Sequence, residues 1–373
     1  STWAPLADGS IVCAWTSNGV WSLGCLEAGA TMPTAYDLPF TSIASVRAHP
    51  SGDGVVFNAG SPTEPSRIVH LDAATGEWTT LAASAESWLN EGYLSIAEPA
   101  SWQTEDGQTA HGFFYAPKNP DARPRDGETP SLIIESHGGP TGATSAVYDL
   151  EIQFWTSRGF AVLDVNYGGS TGYGRTYRER LNGSWGVVDV DDCISGALAL
   201  AERGLADPDR MVIRGGSAGG YTTLAALAFR SAYKAGASYY GIGDLEAMAR
   251  DTHKFESRYL HTLVGPYPEA RDLYIERSPI HHVDRLSSAM ILFQGMDDKV
   301  VPPNQASTMA DAVRAKGLPV ALLTFEGEGH GFRKAETIQR TIGAELSFYG
   351  QVFGFIPAGE IEPVVVENVP LAP

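Results

Sequence analysis

The feature that most constrains the fold of this chain is the turn Gly-Gly-Ser-Ala-Gly-Gly at residues 215–220. An apolar segment, Met211–Arg214, runs directly into this turn, and an Ala/Leu-rich segment, Tyr221–Phe229, runs directly out of it. A Gly-x-Ser-x-Gly motif between a strand and a helix is typical of a nucleophile elbow, in which a strained turn exposes a serine hydroxyl. The alternative, a phosphate-binding loop, would need a Gly-Lys-Ser/Thr ending or G-x-G-x-x-G spacing, and neither is present. The motif therefore predicts Ser217 as a nucleophile.

A serine hydroxyl is inert near neutral pH unless a base accepts its proton, so we expect a histidine downstream. His330 is the best candidate among the nine histidines, because it lies between two glycines directly after the apolar segment Val320–Phe325. Functional groups of open α/β sheets gather at the carboxyl ends of the strands. The pattern predicts His330 as the general base.

The histidine needs a carboxylate to fix its tautomer, and two neighbouring candidates follow the segment Ala289–Gln294. These are Asp297 and Asp298, and their positions alone do not separate them. Either choice gives the chain order Ser, Asp, His, which is the order of α/β-hydrolases and of neither chymotrypsin-like nor subtilisin-like enzymes.

A second glycine-rich segment, His137-Gly138-Gly139-Pro140, follows the apolar run Leu132–Ser136. It resembles the oxyanion loop of hydrolases, whose backbone N–H group points at the substrate oxygen. We expect the N–H groups of Gly139 and Ala218 to form the oxyanion hole. A plain turn is the alternative.

The second half of the chain alternates apolar runs with helical patterns, which is typical of a parallel sheet. The expected fold is an α/β-hydrolase, with a mostly parallel, doubly wound sheet, preceded by a small all-β segment. The predicted strands are 132–136, 160–166, 211–214, 235–240, 289–294 and 320–325, and the predicted helices are 147–158, 188–203, 218–229, 306–316 and 334–353.

Short strands and turns make up residues 1–85, and the pairs Asp8-Gly9 and Asp53-Gly54 lie 45 residues apart. This period fits one four-stranded blade of a β-propeller, although a closed propeller typically has about 4–8 blades. We therefore expect one or two blades of an incomplete propeller, with a small accessory β-domain as the alternative. Residues 86–130 are expected to be bridging strands and a loop, 131–355 the catalytic domain, and 356–373 a tail or an added edge strand.

The net charge of −18 argues against nucleic acid or an anionic membrane as a partner, because phosphates would be repelled. No apolar run is long enough to span a bilayer, and the first residues lack the features of a signal peptide, so a cytoplasmic location is expected. The three cysteines have no metal-ligand spacing. The acidic side chains Asp189, Asp191 and Asp192 are spread around a helix and are expected on a solvated face. No metal and no organic cofactor are predicted.

Taken together, five motifs in this order resemble the prolyl oligopeptidase family of serine peptidases, and in particular its acylaminoacyl-peptidase-like and dipeptidyl-peptidase-like members. The motifs are His137–Pro140, Gly168–Gly174, Gly215–Gly220, Asp297–Pro302 and Gly327–Phe332. The resemblance implies that Asp297, rather than Asp298, is catalytic, and that a propeller accompanies the hydrolase domain. It also implies that Tyr239 or Tyr240 helps to form the substrate pocket, although packing is an equal alternative for both.

The sequence thus predicts a serine peptidase that cleaves short peptides or acyl-peptides through an acyl-enzyme formed on Ser217. An esterase or small-amide hydrolase using the same triad is the alternative, and a non-catalytic binding subunit is a third. Because the blades are incomplete, their edges are expected to pair with a second copy of the chain or with a companion propeller segment.

Overall fold

The computed structural model describes residues 1–251 and 258–369 of the chain. Two four-stranded antiparallel sheets form its N-terminal part. Their strands are β1 Trp3–Pro5, β2 Ile11–Ser17, β3 Val20–Leu26 and β4 Thr34–Ala35 in the first sheet, and β5 Ser42–Ala48, β6 Gly54–Gly60, β7 Arg67–Asp72 and β8 Trp78–Ala83 in the second.

The 45-residue sequence repeat corresponds to these two sheets. In each sheet the strands pair in chain order, and the Asp-Gly pair lies where the first hairpin turns, between β1 and β2 and again between β5 and β6. The predicted all-β segment resembling partial propeller blades is therefore confirmed.

An eight-stranded mixed sheet follows, with the strand order β16-β15-β14-β13-β11-β12-β10-β9. Its strands are β9 Glu98–Gln103, β10 Thr109–Tyr115, β11 Ser131–Ser136, β12 Phe160–Asn166, β13 Met211–Gly216, β14 Ala235–Tyr239, β15 Ala289–Gly295 and β16 Val320–Phe325. Strands β11 to β16 pair in parallel, whereas β9 and β10 are antiparallel additions. All six predicted parallel strands are present, and the α/β-hydrolase fold is confirmed.

Helices connect the parallel strands. In the described residues they are α1 Leu150–Thr156, α2 Arg175–Glu179, α3 Val188–Glu202, α4 Ala218–Phe229, α5 Leu245–Asp251, α6 Tyr259–Leu263, α7 Arg271–Glu276, α8 Asn304–Ala315 and α9 Ala335–Phe353. The first predicted helix begins later than expected because the Asp149 carboxylate caps α1, accepting from the N–H of Glu151 at 2.7 Å. Helices α2, α5, α6 and α7 were not predicted, since five to seven residues are too few for a helical period to emerge.

The core lies on both faces of this sheet. Every residue of β12 and of β15 is buried, as expected for parallel strands covered by helices on two sides. The tail adds a single antiparallel bridge at the outer edge of β16, where Val320 and Glu367 exchange backbone hydrogen bonds of 3.1 and 2.9 Å. No helix in the two described ranges is both long and apolar enough to cross a bilayer.

The expectation of a solvated acidic face on α3 was wrong for two of its three aspartates. Asp189 and Asp192 are buried, and burial raises the pKa of each to about 6. The Asp189 carboxylate accepts from the Gly186 N–H and the Thr222 hydroxyl, both at 2.6 Å, and Asp192 accepts from the Gly168 N–H at 2.7 Å. These carboxylates thus join α3 to neighbouring loops and to α4.

A buried guanidinium ties the centre of the sheet to two helices. Arg214, on β13, donates from Nε to the two carboxylate oxygens of Glu345 on α9 at 3.0 and 3.3 Å. It also donates to Glu151 on α1 and, at 3.0 Å, to Glu135 on β11. The hydroxyl of Tyr239 donates to Glu345 at 2.5 Å. Burial alone would lower the pKa of Arg214, but the surrounding carboxylates raise it, so the group stays charged.

We expect Arg214→Met to lower the free energy of unfolding by about 3–5 kcal/mol, because the fully buried Glu345 loses its counter-charge. The matched control is Arg230→Met, which removes a half-exposed ion pair with Asp191 and should cost about 0–1 kcal/mol. Urea titrations of both variants measure the difference, and equal losses would contradict a structural role for the buried network.

Candidate active site

The nucleophile elbow forms at the junction of β13 and α4. Ser217 lies between the two elements with φ 57° and ψ −117°, a strained conformation for a residue other than glycine. The turn is packed tightly against β11. A Cβ at Gly219 would lie 1.9 Å from the Ser136 carbonyl oxygen, and one at Gly215 would lie 2.6 Å from the same atom. Glycine is therefore required on both sides of the serine.

The structure brings Ser217 and His330 together, although 113 residues separate them. The Ser217 Oγ lies 2.8 Å from Nε2 of His330, within hydrogen-bond distance for proton transfer. His330 lies in the loop between β16 and α9. The other ring nitrogen, Nδ1, lies 2.8 Å from the Asp298 Oδ2.

The prediction that Asp297 orients the histidine was wrong, because its neighbour Asp298 makes this contact. Asp298 is 5% exposed, whereas Asp297 is exposed to solvent. The other oxygen of Asp298, Oδ1, accepts from the N–H groups of Val300 and Val301 at 2.8 and 2.9 Å. Burial alone would raise the pKa of Asp298, but the bonds from His330 and these backbone groups hold it below its usual value. The group is therefore a carboxylate that accepts the Nδ1 proton.

Asp297 contributes through its backbone instead. Its N–H donates to the Glu328 carbonyl at 2.9 Å, which joins the loop after β15 to the loop that carries His330. A Cβ at Gly295 would lie 2.5 Å from the same carbonyl oxygen, so these loops are in close contact. The relative position of acid and base thus depends on backbone packing between two loops.

Gly139 and Ala218, the predicted oxyanion donors, both line a cavity of about 650 Å³ beside Ser217. Ala218 is the first residue of α4, where N–H groups have no intrahelical acceptor. Gly139 has φ +54°, and nothing lies within 4 Å of where its Cβ would be. Its neighbour Gly138 would place a Cβ 3.6 Å from that of Ser217. The loop therefore lies directly beside the nucleophile.

His137 fixes the loop that carries these glycines. Its ring stacks on Tyr167 at 4.3 Å between centroids, and Nε2 lies 2.7 Å from the Ser170 hydroxyl. Burial lowers the pKa of His137 to about 4, so the imidazole is neutral near pH 7. Sequence reasoning assigned no role to Tyr167 and Ser170, although Ser170 lies within one of the five family-like motifs.

The cavity wall facing Ser217 is largely apolar. The side chains that form it are Trp185, Ile242, Met248, Leu260, Val300 and Val301. The first four come from loops and short helices with no local motif, so the sequence alone did not single them out. Val300 and Val301 lie within the Asp297–Pro302 motif, but no pocket role was assigned to them.

The two tyrosines at the end of β14, Tyr239 and Tyr240, lie in different environments. Tyr240 lines the cavity, with its ring centroid 4.9 Å from that of His330. Tyr239 is buried on the other side, where it bonds to Glu345 and lies 5.1 Å beneath the Arg214 guanidinium. A pocket role and packing were equal alternatives for both tyrosines. The contacts of Tyr239 are those of a packing residue.

Comparisons with known proteins agree with this geometry. The model of the prolyl oligopeptidase family matches residues 146–355, which is more than half of the chain. The chain is 30% identical over 309 residues to dipeptidyl aminopeptidase BIII of Pseudoxanthomonas mexicana, covering 80% of this chain and 44% of that protein. It is 26% identical over 346 residues to the acylamino-acid-releasing enzyme of Arabidopsis thaliana, covering 83% and 43%.

Among solved structures, a puromycin-hydrolyzing peptidase of Mycobacterium tuberculosis superposes with a TM-score of 0.94 at 45% identity, covering 98% of this chain and 55% of that chain. The chain thus spans about half the length of the relatives that it matches. Together, the family match and the serine–histidine–carboxylate geometry show that the chain belongs to the prolyl oligopeptidase family.

Proposed function

We propose that this chain carries the catalytic machinery of a serine peptidase that cleaves amide bonds of short peptides or acyl-peptides. The observation that supports this most directly is the pair of 2.8 Å contacts joining Ser217, His330 and Asp298 in series. His330 removes the Ser217 proton as Oγ attacks the carbonyl carbon. The Asp298 carboxylate, bonded to Nδ1, stabilises the imidazolium that forms.

The N–H groups of Gly139 and Ala218 are proposed to hold the oxyanion of the tetrahedral intermediate. The partial positive charge at the N-terminus of α4, which comes from the helix dipole, would stabilise the same oxygen. His330 then gives its proton to the leaving amine, which leaves an acyl group on Ser217. Water, activated by the same imidazole, releases the product and restores the hydroxyl.

The apolar wall of the cavity supports an apolar or aromatic side chain beside the scissile bond. Burying such a side chain against Trp185, Met248 and Leu260 is favourable by about 1.5–3 kcal/mol relative to water. The similarity to a puromycin-hydrolyzing peptidase supports puromycin as a substrate to test. Tyr240 is proposed to contact the substrate at the edge nearest His330.

We also propose that the two N-terminal sheets pair with propeller strands of a second copy of the chain or of a companion propeller segment. Five of the six side chains of β8 are exposed, which leaves this edge strand uncovered.

We expect Ser217→Ala to abolish covalent labelling by a fluorophosphonate probe and to lower kcat by a factor on the order of 10⁶, because the attacking oxygen is removed. Ser231→Ala, at an exposed serine outside the cavity, is the control and should label like the parent chain. Undiminished labelling of the Ser217 variant would remove this serine from the mechanism.

A matched pair of variants tests which of the two aspartates orients His330. Asp298→Asn should lower kcat by a factor on the order of 10⁴, since an amide at this position favours the wrong imidazole tautomer. Asp297→Asn should leave kcat within about threefold, because only the backbone of Asp297 joins the site. Steady-state kinetics on one chromogenic peptide compares them, and a larger loss in the Asp297 variant would contradict the assignment.

Substrate class is tested by comparing puromycin and acyl-peptide anilides with short p-nitrophenyl esters. A peptidase should turn over the amides at rates that Ser217→Ala eliminates, since its oxyanion hole stabilises the harder amide transition state. Turnover of esters alone would instead support the esterase alternative.

A further inference from the structure

Outside the cavity, three potential metal-binding side chains converge at one end of the second N-terminal sheet. His49 and Asp53 lie at the two ends of the turn between β5 and β6, and His70 lies on the neighbouring strand β7. One ligand atom from each, a ring nitrogen or a carboxylate oxygen, lies within 4.8 Å of the others. Sequence reasoning assigned these histidines to the surface or the core of the β region, and it predicted no metal because the triad mechanism needs none.

The two carboxylate–imidazole distances in this cluster match the spacing of ligand atoms around a metal ion. The Asp53 Oδ1 lies 3.4 Å from Nδ1 of His49 and 3.5 Å from Nε2 of His70. An N–H···O hydrogen bond prefers about 2.7–3.2 Å. Ligand atoms about 2.0–2.2 Å from a tetrahedral Zn²⁺ lie roughly 3.3–3.5 Å from one another.

A second observation concerns the Nε2 atom of His70, which is shielded from solvent and has no hydrogen-bond partner in the described part of the chain. Buried polar atoms in native proteins are nearly always paired with protein, water or an ion. Of the eleven unpaired side-chain atoms in the described residues, Nε2 of His70 belongs to this cluster of potential metal ligands. The His49 and His70 rings are tilted by 49° to each other, with centroids 4.5 Å apart, and Nε2 of His70 lies 3.5 Å from the Asp53 Oδ1.

Backbone contacts hold the three residues in place without any ion. The His49 N–H donates to the Gly54 carbonyl at 2.8 Å, and the Gly52 N–H donates to the His49 carbonyl at 2.9 Å. The Asp53 carbonyl accepts from the Ala73 N–H at 2.9 Å, which fixes the turn to the end of β7. His70 is held by the pairing of β7 with β6, where it lies opposite Val56, so the backbone of all three residues is hydrogen-bonded without an ion.

Ser51 completes the cluster. Its hydroxyl donates to the Asp53 Oδ1 and lies 2.5 Å from Nδ1 of His49. A metal ion would replace the contact with His49 and keep the bond to Asp53. A hydrogen-bonded second shell of this kind orients a ligating carboxylate.

We propose that His49, Asp53 and His70 form a binding site for a divalent transition-metal ion, with Zn²⁺ as the best fit. Two imidazoles and one carboxylate favour Zn²⁺ over Mg²⁺ and Ca²⁺, which prefer all-oxygen sites. Water supplies the fourth ligand. The net charge of −18 concentrates cations around the chain. The bound ion clamps the β5–β6 turn to β7.

The test measures zinc binding to the chelator-treated full chain by calorimetry, together with the visible absorption of the Co²⁺ form. One Zn²⁺ per chain, a higher thermal midpoint on binding, and the intense absorption of tetrahedral Co²⁺ are expected. His70→Asn and Asp53→Asn should each weaken zinc binding by at least about tenfold. His281→Asn, at an exposed histidine elsewhere, should bind like the parent chain.

Fluorophosphonate labelling of Ser217 in each variant shows that the chain is folded, and its outcome does not depend on the metal. The proposal is overturned if the parent chain binds no zinc, if the His70 variant binds it equally well, or if Ca²⁺ binds more tightly than Zn²⁺.

Discussion

The close approach of the nucleophile turn to strand β11 is the constraint on which the rest of the site depends. With a carbonyl oxygen of Ser136 only 1.9 Å from where a Cβ of Gly219 would be, the two backbones touch without side chains between them. This contact places the end of β11, and hence the loop at His137–Gly139, beside the Ser217 hydroxyl. This one backbone contact therefore determines both the strained conformation of Ser217 and the position of the proposed oxyanion donors.

The other two members of the triad depend on the parallel sheet. Because β13, β15 and β16 run in the same direction, their carboxyl ends meet at one edge, and the loops after them carry Ser217, Asp298 and His330. The backbone bond between Asp297 and Glu328 then fixes one loop against the other. Pairing between strands that are far apart in the sequence thus brings the three side chains together, and no local sequence pattern specifies this juxtaposition.

Three buried carboxylates of the hydrolase domain have partners that offset the cost of their burial. Glu345, Asp192 and Asp298 are each buried, and each accepts hydrogen bonds from a cation, a backbone N–H or a histidine. Such pairing offsets the cost of removing a carboxylate from water. The Nε2 atom of His70, in the second N-terminal sheet, has no such partner in the described residues, and the proposed metal ion would supply one.

Much of the fold could be predicted from the sequence because the patterns that specify its strands, turns and long helices are local. Apolar runs alternating with helical periods gave the six parallel strands and the long helices, and a repeated Asp-Gly turn gave the two N-terminal sheets. Helices of five to seven residues were missed, since one or two turns contain no measurable period.

For the site, the sequence singled out residues by their immediate neighbours: Ser217 between glycines and His330 in a glycine-flanked loop, which the structure brings together. Gly139 was singled out by its place after an apolar strand, and its oxyanion role stays a prediction. Only the tertiary structure decided between Asp297 and Asp298 and between Tyr239 and Tyr240. In each pair the side chains are chemically identical and adjacent, but they lie in different environments. Asp298 is buried and Asp297 is exposed, while Tyr240 lines the cavity and Tyr239 packs against Arg214 and Glu345. Which one meets the imidazole or the cavity is determined by the packing of distant segments, and that information is absent from the local sequence.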